Sequence, residues 1–318
     1  DKYSLDKGRV FLTGTQALVR LPIIQRKIDQ SNGINTACYI SGYTGSPLGG
    51  YDHALNQASD FLDENEIVFQ PGINEDLAAT ALHGTQQTTL VEKPKYDGVF
   101  GIWYGKGPGV DRSGDALKHG NYAGTSEYGG VLALAGDDHG AKSSTTAHQS
   151  DHAFIHFGMP ILNPSTVQDY LDFGVLGFAM SRYSGCWVGF KCVTDTVESA
   201  ASVDISLDRF KPVFPKDDLI GDENIHIQWG FAPAASEPRL YKTHLPAAQV
   251  FARANSIDKV IFKDKKKLGI VTSGKAYLDV RQALDELGLD DELCKKIGVS
   301  LFKVGMVWPL DDKKILDF

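Results

Sequence analysis

The chain has 318 residues, of which 42% are hydrophobic and 23% charged, with a formal net charge of -8. That is enough for two domains that each bury a core, and the composition excludes wholesale disorder. The acidic balance excludes nucleic acid as the main partner, because phosphate recognition needs concentrated Lys and Arg.

The longest basic run, 263–267, precedes an apolar strand and reads as a solvated loop. No apolar run has the length needed to cross a bilayer and no signal peptide opens the chain, so the expected location is the cytoplasm, without a membrane partner. Cys38, Cys186, Cys192 and Cys294 form no Cys-x-x-Cys pair. Reduced, buried thiols are the simplest account, and an iron–sulfur cluster held by this segment alone is not expected. The first residue is Asp and the chain stops without a closing element, so it reads as part of a longer polypeptide.

In chain order, apolar strand-like runs occupy 36–41, 67–70, 99–104, 131–135 and 187–193, and helical stretches occupy 52–62, 77–85 and 167–180. That alternation predicts a parallel sheet with helices on both faces. The loop 43–50, Tyr-Thr-Gly-Ser-Pro-Leu-Gly-Gly, follows the first of these strands. Glycines there let backbone amides approach an anion, but the loop matches neither a Walker ending nor G-x-G-x-x-G. A plain strand-to-helix turn accounts for it equally well.

The stretch 68–81 is the most informative. A strand ends at Pro71-Gly72, Asn74 is placed to cap a helix, and Glu75 and Asp76 fall in its first turn, where the helix dipole favours negative charge. Capping alone explains two acids there. Alternatively, the two adjacent strand ends, one glycine-rich and one carrying Glu75, define a ligand crevice.

Further on, Gly105-Lys106-Gly107-Pro108-Gly109 leaves Lys106 flanked by glycine, either as a solvated turn lysine or as a ligand contact. His148, His152 and His156 recur every four residues, which on one helix would align three imidazoles. The zincin glutamate is missing, however, and 157–160 breaks the helix, so no metal site is assigned. There is no G-x-S-x-G elbow for a hydrolase. Ser165 is expected to cap the helix to 180. From 204 to 259 prolines break the pattern into an irregular connector with a helix near 247–254. A strand at 268–274, a helix at 276–287 and a strand at 299–304 then open a second α/β unit.

Ser41-Gly42-Tyr43-Thr44-Gly45-Ser46-Pro47 resembles the Tyr-Pro-x-Thr-Pro loop of the 2-oxoacid:ferredoxin oxidoreductases. Asn74-Glu75 resembles the glutamate with which that family activates thiamine diphosphate. Gly136-Asp137-Asp138-His139-Gly140 through Ser143-Ser144, Gln149 and Asp151 looks like a segment of the family's indolepyruvate branch. The opening Gly8 to Arg20 resembles the start of its large single-chain bacterial members. The resemblance spans essentially the whole chain.

The resemblance implies a pyrimidine-type thiamine diphosphate-binding domain over 1–203, the connector over 204–259 and the start of a second α/β domain over 260–318. Glu75 would activate the cofactor. Ser46 matches a hydroxyl that borders the substrate carboxylate, in a loop that also carries Tyr43, and Thr44 stands where the family has proline. Lys106 and Ser144 would lie at the substrate or cofactor edge. Pyruvate-using relatives carry an arginine near 134–137, and none stands here, which favours a bulkier keto acid such as indolepyruvate. The diphosphate, Mg2+ and [4Fe–4S] clusters would be held by downstream domains or a partner chain, making this segment inactive alone. The expected partners are ferredoxin, a 2-oxoacid, coenzyme A and a second copy in a homodimer. Another thiamine-dependent enzyme and a non-catalytic dimerisation module remain as alternatives.

Overall fold

The structure, a computed structural model, describes every residue except 1, 143–145, 217–223, 231 and 264–266. Among the described residues twelve strands follow in order: β1 (Arg9–Thr13), β2 (Thr36–Gly42), β3 (Ile67–Phe69), β4 (Gly98–Lys106), β5 (Val131–Asp137), β6 (Ile161–Leu162), β7 (Val188–Val193), β8 (Ala200–Asp204), β9 (Lys259–Phe262), β10 (Leu268–Ser273), β11 (Val299–Val304) and β12 (Met306–Trp308). The main sheet has seven strands in the order β12-β6-β7-β5-β4-β2-β3, and all its pairings except β12 with β6 are parallel. The fold is therefore α/β with a mostly parallel sheet, as the alternating pattern led us to expect.

Both faces of this sheet are covered, so its strands read as continuous apolar runs rather than alternating ones. Phe100, Ile102 and Tyr104 of β4, with Leu132 and Leu134 of β5, join a core beneath the helices Gly14–Ser31 and Val167–Ser184. Trp103, Val131, Ala133 and Ala135 point the other way, into a core with Ala78, Ala79, Leu82 and Leu117. The helix Glu75–Gln86 approaches this second face closely, since a Cβ on Gly101 would sit 2.1 Å from a Leu82 methyl.

At the amino ends of the strands, Arg182 donates to both oxygens of the buried Asp29, at 2.7 and 2.8 Å. That carboxylate also accepts from Thr36 Oγ1 and Gln25 Nε2. Four hydrogen bonds to one carboxylate compensate its desolvation.

The helix expected over 52–62 is two short helices, Tyr51–Gln57 and Ser59–Asp63, meeting at the buried Ala58. The helix to Ser184 is capped by Thr166 rather than Ser165. Thr166 accepts from Asp169 N, and Asp169 accepts in return from Thr166 N and Ser165 N. This reciprocal pairing needs an acid or amide three residues after the cap. Counted from Ser165, that position is Gln168, which bonds Asp172 and Asp204 instead. The expected helix near 247–254 is Leu245–Ala254, entered through a π-helical turn, Leu240–His244.

The last part of the chain forms a three-stranded sheet, β10-β11-β9, backed by the helices Gly274–Glu286 and Asp291–Ile297. Lys303 of β11 reaches Asp169 at 2.6 Å in a buried ion pair, and β12 adds to the edge of the main sheet beside β6. No helix among the described residues is long and apolar enough to cross a membrane.

Candidate functional site

The chain leaves β2 outward to β3, then returns to the other side of β2 as β4. Ligand crevices of open parallel sheets lie at such a switch, outside the carboxyl ends of the strands. The loop 43–50, Glu75, Lys106 and Asp137 all stand there. Tyr43 N donates to Tyr104 O at 3.1 Å, and Gly72 N donates to Gly42 O at 2.8 Å, so the ends of β2, β3 and β4 are tied together.

Asn74 caps the helix Glu75–Gln86 by accepting from Leu77 N at 2.9 Å. This places Glu75 at its first position, and Trp103 Nε1 fixes the Glu75 carbonyl at 3.0 Å. The residue is 9% exposed. A Cβ built on Gly109 would lie 2.7 Å from Glu75 Oε1, and one on Gly105 would lie 3.5 Å from its Cγ. Two glycines thus admit the Glu75 side chain against the backbone at the end of β4. Among the described residues Arg112 is the nearest cation, 4.0 Å from Oε2, while its Nε donates to Asp76 at 3.3 Å. Among the described residues no donor hydrogen-bonds the Glu75 carboxylate. A carboxylate this buried without donors is costly, so the position fits a ligand N–H or ring nitrogen supplied from the crevice.

The other expected residues flank this carboxylate. The Lys106 stem packs on Gly45, whose Cβ would lie 2.8 Å from Lys106 Cδ. Pro47, joined to Ser46 by a cis bond, lies over Gly136 of β5. Lys106 and the loop 43–50 therefore meet, with Ser46 half-buried and Tyr43 exposed among them. Thr44 Oγ1 donates to Gly49 O at 3.3 Å within the loop. Successive residues of β4 face opposite ways, so Lys106 and Glu75 approach the strand end from different sides. Ser144 and its neighbour Ser143 lie outside the described residues.

His148, His152 and His156 do not share a helix, because the helix there is Asp151–Phe157. His148 precedes it and donates from Nε2 to Asp111 Oδ2 at 2.8 Å. Its ring lies on Gly107, where a Cβ would fall 1.9 Å from Nδ1. Below it, the fully buried Asp137 accepts from Ser150 Oγ at 2.7 Å and from Ser150 N at 3.0 Å. Lys191, itself buried, lies 3.6 Å from Asp137 and 2.5 Å from Asp151. Sequence reasoning did not connect Lys191 or Asp111 with the site. The glycines at 105, 107 and 109 were the available signal, since alternate missing side chains at a strand end mark close approach.

Residues 257–318 match the model of the indolepyruvate ferredoxin oxidoreductase middle domain. The indolepyruvate oxidoreductase subunit IorA of Methanothermobacter marburgensis is 24% identical over 325 residues, covering 99% of this chain and 46% of the relative. The same subunit of Methanothermobacter thermautotrophicus is 22% identical, covering 98% and 45%. The chain thus spans about half the length of the curated relatives it matches. A solved structure, the 2-oxoglutarate:ferredoxin oxidoreductase of Magnetococcus marinus with 2-oxoglutarate, coenzyme A and succinyl-CoA bound, is similar over 98% of this chain and 56% of that one. Its TM-score is 0.68 at 14% identity.

The fold is that of the 2-oxoacid:ferredoxin oxidoreductases. The matched middle domain over 257–318 and the curated relatives make the chain similar to members of the indolepyruvate ferredoxin oxidoreductase family.

Proposed function

We propose that this chain supplies the pyrimidine-binding side of a thiamine diphosphate site in an enzyme that oxidatively decarboxylates an aryl pyruvate, indolepyruvate foremost. The acyl group passes to coenzyme A and electrons pass through [4Fe–4S] clusters to ferredoxin. The observation that carries this reading is the Glu75 carboxylate, 9% exposed and without a donor among the described residues, at the crevice of the sheet. When bound, thiamine diphosphate supplies the acidic carbon that adds to the keto group and accepts the electrons of decarboxylation.

Glu75 would hold a proton at a ring nitrogen of the cofactor's pyrimidine, a charge-assisted contact strengthened by the dry surroundings. Lys106 and Ser46 would meet the substrate carboxylate from the opposite side of β4, Lys106 by charge and Ser46 by its hydroxyl. Tyr43 and Thr44 would border the same space. The diphosphate, its Mg2+ and the clusters would be held by another domain or chain, and the active form would be a homodimer. The curated relatives named for indolepyruvate, and the absence of arginine at 134–137, favour the aryl substrate.

The test is an anaerobic assay of ferredoxin or viologen reduction with indolepyruvate, phenylpyruvate or pyruvate, each with coenzyme A. Glu75→Gln should lower aryl-pyruvate turnover by ~10²–10⁴-fold, the usual range for a lost proton-transfer group. No thiamine-dependent reduction with any 2-oxoacid refutes the reading.

A further inference from the structure

The short helix Gly107–Arg112 is pressed between two side chains. On one side is Glu75, whose Oε1 and Cγ lie 2.7 and 2.8 Å from where a Gly109 Cβ would stand. On the other is His148, whose ring covers Gly107 and whose Nε2 donates to Asp111 on the same helix. The helix cannot shift without opening one of these contacts.

His148 is itself anchored. Its backbone N donates to Asp138 O at 3.1 Å. Two residues on, Ser150 gives both its N–H and its hydroxyl to Asp137, which Lys191 holds in place together with Asp151. Asp137 is fully buried and Lys191 is 5% exposed, so this base is rigid. The Nδ1 atom of His148 is buried and has no hydrogen-bond partner among the described residues. Nε2 donates to the Asp111 carboxylate, and the Nδ1 side of the ring packs where a Gly107 Cβ would stand, 1.9 Å away. The ring acts as a spacer with one directional bond.

We infer that His148 and Asp111 form a positioning pair that seats the helix Gly107–Arg112 against Glu75 and so sets the direction of its carboxylate. The inference rests on the reading of Glu75 given above. Positioning errors of about 1 Å at a reacting group cost on the order of 10²-fold, so a loosened helix should show in the chemistry before it shows in stability.

The readout is the rate at which the C2 hydrogen of bound thiamine diphosphate exchanges with deuterium in the holoenzyme, without 2-oxoacid. Cofactor affinity of the apoenzyme is followed in parallel by tryptophan fluorescence. Asp111→Ala is the lead variant, because that side chain is 61% exposed and its loss threatens no core. It and His148→Ala should each slow exchange by about tenfold or more, with a much smaller change in cofactor affinity. Asp111→Asn, which keeps an acceptor for Nε2–H, should recover most of the rate. The double variant His148→Ala/Glu75→Gln should be no slower than Glu75→Gln alone, because both act through one group. Wild-type exchange in Asp111→Ala and His148→Ala, or a multiplied loss in the double variant, overturns the inference and leaves the function of Glu75 standing. Unchanged exchange in Glu75→Gln overturns both.

Discussion

Gly109→Ala tests the packing around Glu75 most directly. The added Cβ would lie 2.7 Å from Glu75 Oε1, 2.8 Å from Cγ and 3.1 Å from Cδ. Favourable contacts between heavy atoms begin near ~3.5 Å, so one partner must give by about 0.7 Å. The Glu75 backbone cannot provide that movement easily. It is the first residue of a capped helix, and Trp103 holds its carbonyl. The side chain must swing instead. Alanine is a better helix residue than glycine by ~0.5–1 kcal/mol, which offsets part of the ~1–3 kcal/mol that overpacking costs. A carboxylate displaced by most of an ångström should lose ~10²-fold in C2 exchange, equivalent to ~2.7 kcal/mol. The variant should therefore melt within a few degrees of the wild type while exchanging far more slowly. Wild-type exchange in a protein whose melting point also stays put would refute the claim that Gly109 sets the carboxylate.

Gly84→Ala, in the same helix as Glu75 but with nothing within 4 Å of its Cβ, should raise stability by ~0.5–1 kcal/mol and leave exchange unchanged. A melting point below wild type would contradict that open environment. Asp29→Ala should cost about 3–5 kcal/mol in chemical denaturation, because it strands the Arg182 guanidinium among buried groups. A loss under about 1 kcal/mol would show that the pair is not an essential tie. The ring of His244 is 1% exposed with neither nitrogen bonded among the described residues, and burial pushes its pKa down to about 3. The unfolded chain therefore binds this proton first, so its contribution to stability is complete above pH ~6.5 and is lost as pH falls toward 3. His244→Phe should flatten the acid limb of the stability curve by up to about 1.4 kcal/mol per pH unit between those values. An unchanged limb refutes the buried neutral state.

Much of the sheet was legible because its strands are buried on both faces and so stand out as unbroken apolar runs, as in Val131–Asp137. Asn74 was legible as a cap because its short polar side chain is preferred there and the structure uses it so. Strands β6 and β12 were not seen. Each has two or three residues and is fixed by pairing with a distant segment, which no local pattern records. The histidine period at 148, 152 and 156 misled because spacing by four implies one face only if the helix is already there. Here the helix starts at Asp151, and His148 is taken by Asp111, remote in sequence. Likewise the tie between Lys191 and Asp137 joins β7 to β5 and becomes visible only once those strands are neighbours.

Glu75 and Asp76 together separate the two meanings of an acid at a helix start. Both sit in the first turn and both gain from the dipole. An acid kept for capping or charge alone loses nothing by staying wet, and Asp76 behaves so: its side chain is 41% exposed and it bonds Arg112 from the surface. Glu75, one residue earlier, has an 11% exposed side chain pressed onto glycines and no donor of its own among the described residues. Burial of that kind opposes stability, because the dipole returns at most ~1–2 kcal/mol against a larger desolvation penalty. A fold that keeps the charge there needs another source of compensation. The arrangement points to a ligand donor arriving at the carboxyl ends of β2 and β4. Glu75→Leu should therefore stabilise the apoprotein against urea while abolishing its cofactor-dependent gain in stability. An apoprotein weakened by that change would mean the carboxylate is already paid for within the chain, and the case for a ligand there would fail.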